Sequence, residues 1–180
     1  REDQIDQQSQ LRSACRGIEG AVVLGMPLSR AMVRILDLPG AYSLKAASPD
    51  EEITREICMG SGTYGFQPDV LICVVDATNL RLHLRFVLEL KALGKPLLVA
   101  LNMMDAADKR GITIDVPALA SALGVPVVPT VAVSSRGADA LKTALAADAF
   151  GLPPVEWNAA PEDSHQQVRR ILADCVSMPR

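Results

Sequence analysis

Aromatic side chains are scarce in this chain: one Trp, two Tyr and three Phe among 180 residues, 3% in all. A core without rings must come from aliphatic packing, and a hydrophobic fraction of 49%, rich in Val, Leu, Ile and Ala, is large enough to supply it. Basic residues are not in excess either. Eighteen Lys and Arg stand against 21 Asp and Glu, for a net charge of -3, and they are scattered along the chain. That pattern gives no nucleic-acid footprint, so no nucleic-acid partner is expected. Histidine is limited to His83 and His165, far apart and without carboxylate or thiol partners at ligand spacing, which argues against an iron or zinc site built on them. Cys15, Cys58, Cys73 and Cys175 also lack metal-ligand spacing and read as buried free thiols of a reducing compartment. No apolar run reaches the length of a membrane span and no signal-peptide pattern opens the chain, so a soluble, cytoplasmic polypeptide is expected.

What is present is an alternation of apolar runs and helical stretches, the pattern of an α/β fold with a doubly wound, mostly parallel sheet. Strands are expected at residues 33–36, 69–76, 96–101 and 125–130. The run Asp69-Val70-Leu71-Ile72-Cys73-Val74-Val75-Asp76 is apolar enough to suggest a strand covered on both faces. Ser48-Pro49-Asp50-Glu51 has a capping serine, a proline at the first helical position and a glutamate placed for a capping box, predicting a helix through about Met59. Glu51, Glu52 and Glu56 on that helix read as a solvated face rather than an iron site. Further helices are expected over residues 79–93 before Gly94, over 116–123 between an Asp115 cap and Gly124, and from Gly137 to about Ala147. Residues 161–178 carry Val168, Ile171, Leu172 and Cys175 at helical spacing, and Trp157 reads as a packing anchor for this tail.

The polar residues gather at strand ends. Pro96-Leu97-Leu98-Val99-Ala100-Leu101 runs into Asn102-Met103-Met104-Asp105, an Asn-x-x-Asp at the carboxyl end of a strand, the device by which GTPases read guanine. An ionised Asp is acceptor-only and takes two parallel hydrogen bonds from the guanine N1–H and exocyclic amine, while the Asn amide offers a donor and an acceptor. Adenine presents the opposite pattern and leaves the carboxylate unpaired, which is how such sites discriminate. The bland alternative is a strand leaving the sheet through a polar helix cap. Upstream, Asp37-Leu38-Pro39-Gly40 follows a strand as an Asp-x-x-Gly phosphate and metal loop, its Asp reaching Mg2+ through water and its glycine N–H approaching the terminal phosphate. Val131-Ala132-Val133-Ser134-Ser135 lies where GTPases place a small-residue loop whose backbone N–H meets the guanine carbonyl oxygen. Asp76 reads as a cap on the turn after its own strand.

Taken together, Leu36-Asp37-Leu38-Pro39-Gly40-Ala41-Tyr42-Ser43-Leu44, Ser48-Pro49-Asp50-Glu51, Val74-Val75-Asp76-Ala77-Thr78-Asn79-Leu80 and Ala100-Leu101-Asn102-Met103-Met104-Asp105 closely resemble the cytoplasmic GTPase domain of the ferrous-iron transport protein B family. The resemblance extends from about Val33 to Leu145. It implies a Ras-like P-loop GTPase fold that binds GTP or GDP with Mg2+, on the cytoplasmic side of the bacterial inner membrane. The partner it implies is the membrane-spanning part of the same polypeptide, whose Fe2+ uptake needs GTP; a homo-oligomeric state is left open. By motif matching, Asn102 and Asp105 would hold the base with Met103 in the same loop as a hydrophobic spacer. Ala132 and Val133 would supply the base-loop backbone, Asp37 would serve Mg2+, and Pro39 and Gly40 would meet the phosphates. Ala41 replaces the glutamine that orients water in many signalling GTPases, so slow intrinsic turnover is expected.

The chain departs from the family at the phosphate loop. No Gly-x-x-x-x-Gly-Lys-Ser/Thr is present, and the degenerate counterpart, containing Gly25 and Ser29, has Ala31 in the lysine position and Met32 in the Mg2+ hydroxyl position. Met26 replaces the family's potassium-associated asparagine, and Asp37 follows with no room for a first switch. No catalytic residue is assignable. Three explanations stand open: the segment is missing from the sequence, the protein is a degenerate GTPase, or residues 1–32 are unrelated sequence joined to a GTPase remnant. The expected organisation is therefore an atypical segment 1–32, a GTPase core 33–150, and a linker with one helix at 151–180. Rival readings are a nucleotide-independent interaction module and a soluble translation or ribosome-assembly GTPase.

Overall fold

A computed structural model describes residues 22–28, 31–45, 48–60, 67–134, 137–147 and 163–177. The chain divides into two compact units, Arg1–Pro68 and Asp69–Arg180.

In the first unit, β1 (Val22–Leu28) and β2 (Ala31–Asp37) form an antiparallel ladder with register from Val22 opposite Asp37 to Leu28 opposite Ala31. Pro27 fits because a two-stranded ladder leaves each strand one unpaired side where a missing N–H costs nothing. Helix α1 (Pro49–Met59) begins as its sequence dictates: the Ser48 side chain accepts from the Glu51 N–H, Pro49 opens the first turn, and Gly60 closes the helix in the left-handed region at φ 72°. Ile57 and Cys58 are buried, and Arg55 pairs with Glu52 one turn earlier.

The second unit is built on a three-stranded parallel sheet in the order β3-β4-β6, formed by β3 (Leu71–Asp76), β4 (Leu97–Asn102) and β6 (Val127–Pro129). The central strand β4 is buried from Leu97 to Leu101, as a strand covered on both faces must be. The same expectation fails for β3, which alternates: Leu71, Cys73 and Val75 are buried while Val74 is 61% exposed. Among the described residues β3 is an edge strand of this sheet, with one face, that of Val74, left open.

Helix α2 (Leu80–Lys91) packs on β3 and β4 and buries Leu84, Val87 and Leu88. After it come α3 (Met104–Lys109), β5 (Thr113–Ile114) and α4 (Val116–Leu123), which Asp115 caps by accepting from the Ala118 N–H at 2.9 Å. Gly124, at φ 67°, ends α4, and the buried Lys91 donates from Nζ to the Leu123 carbonyl, occupying one of the acceptors a helix end leaves over. Burial pushes the Lys91 ammonium below its ordinary pKa. Helix α5 (Asp139–Ala146) lies against β6.

The tail forms α6 (Asp163–Cys175), which buries Val168, Ile171 and Cys175 and packs on α2 and α4. Its continuation is a strand with no sequence signal: β7 (Val176–Ser177) pairs antiparallel with β5, and the Asp115 N–H donates to the Cys175 carbonyl. Burial and the carboxylates of Asp174 and Asp115 push the Cys175 thiol upward in pKa. Trp157 and Cys15 lie outside the described residues.

Candidate functional site

Parallel register brings the polar strand ends to one rim. Asp76 is the cross-strand partner of Asn102, and Leu101 of Pro129, so Thr130 emerges beside Asn102. Asp76 performs the expected capping, its Oδ1 accepting from the Thr78 N–H at 2.7 Å and the Thr78 hydroxyl at 2.8 Å.

Past Asn102 the chain must turn from strand to helix at once. Met103 makes the turn at φ 63°, the sole non-glycine residue with positive φ among those described, a conformation that L side chains adopt only when the surroundings hold them there. Its carbonyl then accepts from the Ala106 and Ala107 N–H groups to start α3. Asp105 falls in the first helical turn, where the backbone dipoles favour a carboxylate. Its Oδ2 lies 3.5 Å from Lys109 Nζ, with the two side chains 41% and 78% exposed. An ion pair so open to water is weak, and the carboxylate stays available to a ligand.

Asn102 is held more firmly. Its Oδ1 accepts from the Ala132 N–H at 3.0 Å and from the Thr130 hydroxyl at 3.4 Å. Thr130 is itself buried, and its backbone donates to the Leu101 carbonyl at 2.8 Å. The following residues turn tightly, the Ser134 N–H donating to the Val131 carbonyl at 2.9 Å, with Ala132 and Val133 between them. Val133 stands out at 92% exposure. The Ala132 amide is thus spent on Asn102.

Gly137 closes this loop from behind: its N–H donates to the Ser134 carbonyl, and a Cβ there would sit 1.7 Å from the Val131 carbonyl oxygen. A cavity of about 260 Å³ lies beside the loop, bounded by Met104, Thr130, Val131 and Gly137. Neither Asn102 nor Asp105 lines it, and both side chains are half-buried.

In the first unit, Asp37 ends β2 with an exposed side chain. The Pro39 carbonyl accepts from the buried Thr54 hydroxyl at 2.9 Å, pinning this turn to α1. A Cβ at Gly40 would meet nothing within 4 Å, so the fold by itself does not demand glycine there. Gly25 lies inside β1 opposite Arg34, and Met26 opposite Val33. The expected degenerate phosphate loop is therefore extended ladder at Gly25, because the residues after it pair with β2 instead of turning; Ser29 lies outside the described residues. Sequence reasoning passed over Thr54, Thr130 and the packing role of Gly137, since each acts through a partner whose proximity only the fold creates. No cluster of three or more His, Cys, Asp or Glu exists among the described residues, and no helix there is long and apolar enough to cross a membrane.

A parallel sheet flanked by helices, with an Asn-x-x-Asp turn at one strand end braced by the loop after the next, defines an α/β domain of the P-loop GTPase type. Residues 23–145 match the profile of the family described as Ferrous iron transport protein B, and the chain belongs to that family. The Fe(2+) transporter FeoB of Salmonella typhimurium is 46% identical over 113 residues, which make up 63% of this chain and 14% of that protein. The chain therefore spans a small part of the curated relatives it matches. The cytosolic domain of L. pneumophila FeoB superposes with a TM-score of 0.71 at 25% identity, covering 94% of each chain. NFeoB from S. thermophilus, solved bound to GDP.AlF4- and K+, gives a TM-score of 0.61 at 35% identity, covering 71% of this chain and 48% of that one.

Proposed function

We propose that this chain is the guanine-nucleotide-binding, slowly GTP-hydrolysing domain of a bacterial Fe2+ transporter, placed on the cytoplasmic side of the inner membrane and joined to that transporter's membrane-spanning part. The observation that carries the reading is the rim at Asn102: a carboxamide fixed by its oxygen and the Asp105 carboxylate project from one strand-to-helix turn. Asp105 takes the guanine N1–H and amine, Asn102 and the Val133 amide meet the acceptors on the other edge, and Met103 lies between them. Within the proposed core, residues 33–150, Asp37 and Gly40 are assigned to phosphate and its metal by their Asp-x-x-Gly motif alone.

The donor set at that end fits Mg2+ only as a companion of phosphate. One exposed carboxylate offers a single water-mediated contact, and an ion that keeps its waters is held in such sites mainly by nucleotide oxygens. Mg2+ would neutralise developing charge on the phosphates; Asp37 would orient its waters. Position 26 carries a thioether where the family's potassium-associated residue has an amide oxygen.

Substituting Asp105→Asn tests the base assignment. GTP affinity is expected to fall on the order of tenfold while xanthosine triphosphate gains, since a charged acceptor of two hydrogen bonds becomes a mixed donor and acceptor. Equal affinities before and after the change for both nucleotides would falsify the assignment. A second reading, an interaction module without nucleotide, is favoured by the extended path of β1 and by Ala31 and Met32 where lysine and a hydroxyl belong. Titrating GTP and ATP with Mg2+ into this chain, and into one whose residues 1–32 are replaced by a complete phosphate loop and switch, separates the two. Binding by neither supports the module.

A further inference from the structure

Helix α1 turns one face inward, Thr54 with Ile57 and Cys58, and Thr54 carries a hydroxyl into that otherwise apolar stripe. A threonine in mid-helix ordinarily satisfies its hydroxyl on the carbonyl one turn back. Thr54 donates instead to the Pro39 carbonyl, 2.9 Å away and 15 positions earlier in the chain, in the turn that follows β2. A trans peptide points its carbonyl and its N–H to opposite sides, and among the described residues no peptide bond is cis. With the Pro39 carbonyl drawn toward α1, the N–H of the same peptide unit, that of Gly40, is directed away from the helix. Gly40 is exposed, and a Cβ there would meet nothing within 4 Å, so packing does not hold this peptide plane. The hydrogen bond from Thr54 does.

We infer that Thr54 is a positioning residue for a terminal phosphate: its buried hydroxyl fixes the Pro39–Gly40 peptide with the Gly40 N–H outward, as a donor to a phosphate oxygen. The inference rests on the reading of Asp37-Leu38-Pro39-Gly40 as a phosphate loop. Glycine lets the bonds flanking that peptide rotate at little cost. Without the hydroxyl, the Pro39 carbonyl turns to water for a donor, and the Gly40 N–H swings with it. The Asp-x-x-Gly pattern assigns this N–H to the last phosphate, so a nucleoside triphosphate feels its loss and a diphosphate does not.

The test titrates GDP and a non-hydrolysable GTP analogue, each with Mg2+, into the wild-type chain and into Thr54→Val, Thr54→Ser and Thr54→Ala. NMR of the nucleotide-free proteins follows the Pro39 carbonyl carbon and the Gly40 amide. Thr54→Val keeps the β-branched shape and removes the donor. Both resonances should move, affinity for the GTP analogue should fall about three- to tenfold, the range one net hydrogen bond covers, and affinity for GDP should hold. Thr54→Ser should restore the resonances and the affinity, and Thr54→Ala takes the place of valine if that variant does not fold. Equal losses for the two nucleotides mark a threonine that only supports the fold and overturn the inference, as do unmoved resonances or an unchanged affinity for the analogue. A wild-type chain that binds neither nucleotide instead overturns the nucleotide reading itself, and this inference with it.

Discussion

At the scale of single residues, chemistry announced itself where one side chain suffices and hid where two must meet. Asn102 and Asp105 were legible because their spacing and their place after an apolar run are local facts. Asp76 was legible as a cap for the same reason. Thr130 was legible only as a strand end and Ala132 only as a member of a loop, because their bonds to Asn102 span 28 and 30 residues of chain and depend on the parallel register of β4 and β6. Gly137 belongs to the same class: nothing local says that a methyl group there collides with the Val131 carbonyl. Replacing Gly137 with Ala should therefore cost about 1–3 kcal/mol in urea unfolding and displace the Val131–Ser134 turn, visible as amide shifts at Ala132 and Val133. Asp76→Ala removes the acceptor of two hydrogen bonds at the start of a helical turn and should cost roughly 1 kcal/mol, with guanine selectivity kept.

Among elements, helix ends were read nearly to the residue, since caps and closing glycines are encoded within a few positions. Ser48 with Pro49, and Asp115 with Gly124, delimit the start of α1 and both ends of α4 as expected, and α1 ends at Met59 before Gly60. Strand partners were not readable. The β1–β2 ladder and the β5–β7 pair have no periodicity long enough to declare them, and β7 is formed by residues expected to be helix. Helix α2 holds an element-scale prediction in Lys91. Its folded pKa lies below the ordinary value of 10.5, so between the two the unfolded chain holds more protons and stability rises with pH. At lower pH both states are protonated and the slope vanishes. Lys91→Met should abolish that part of the rise, measured as the difference between urea midpoints of variant and wild type from pH 8 upward.

For the whole molecule, the tail is part of the second unit and not a loose appendage. Ile171 is 4% exposed, so Ile171→Ala should cost about 2–5 kcal/mol in urea unfolding of that unit. Cys58, Cys73 and Cys175 are buried thiols. Iodoacetamide at pH 8 should label them far more slowly in the folded protein than in urea, and peptide mapping after timed quenching reads this out; Cys175 should be slow for its raised pKa as well as its burial. The short β5–β7 ladder has a mechanical meaning. Tension applied to the polypeptide beyond Ser177 arrives first at Thr113 and Ile114, a few residues after the helix that carries Asp105, and at the bond between the Asp115 N–H and the Cys175 carbonyl. A tug on the far end of the unit would thus strain the anchorage of the Asp105 helix before it disturbed the central sheet.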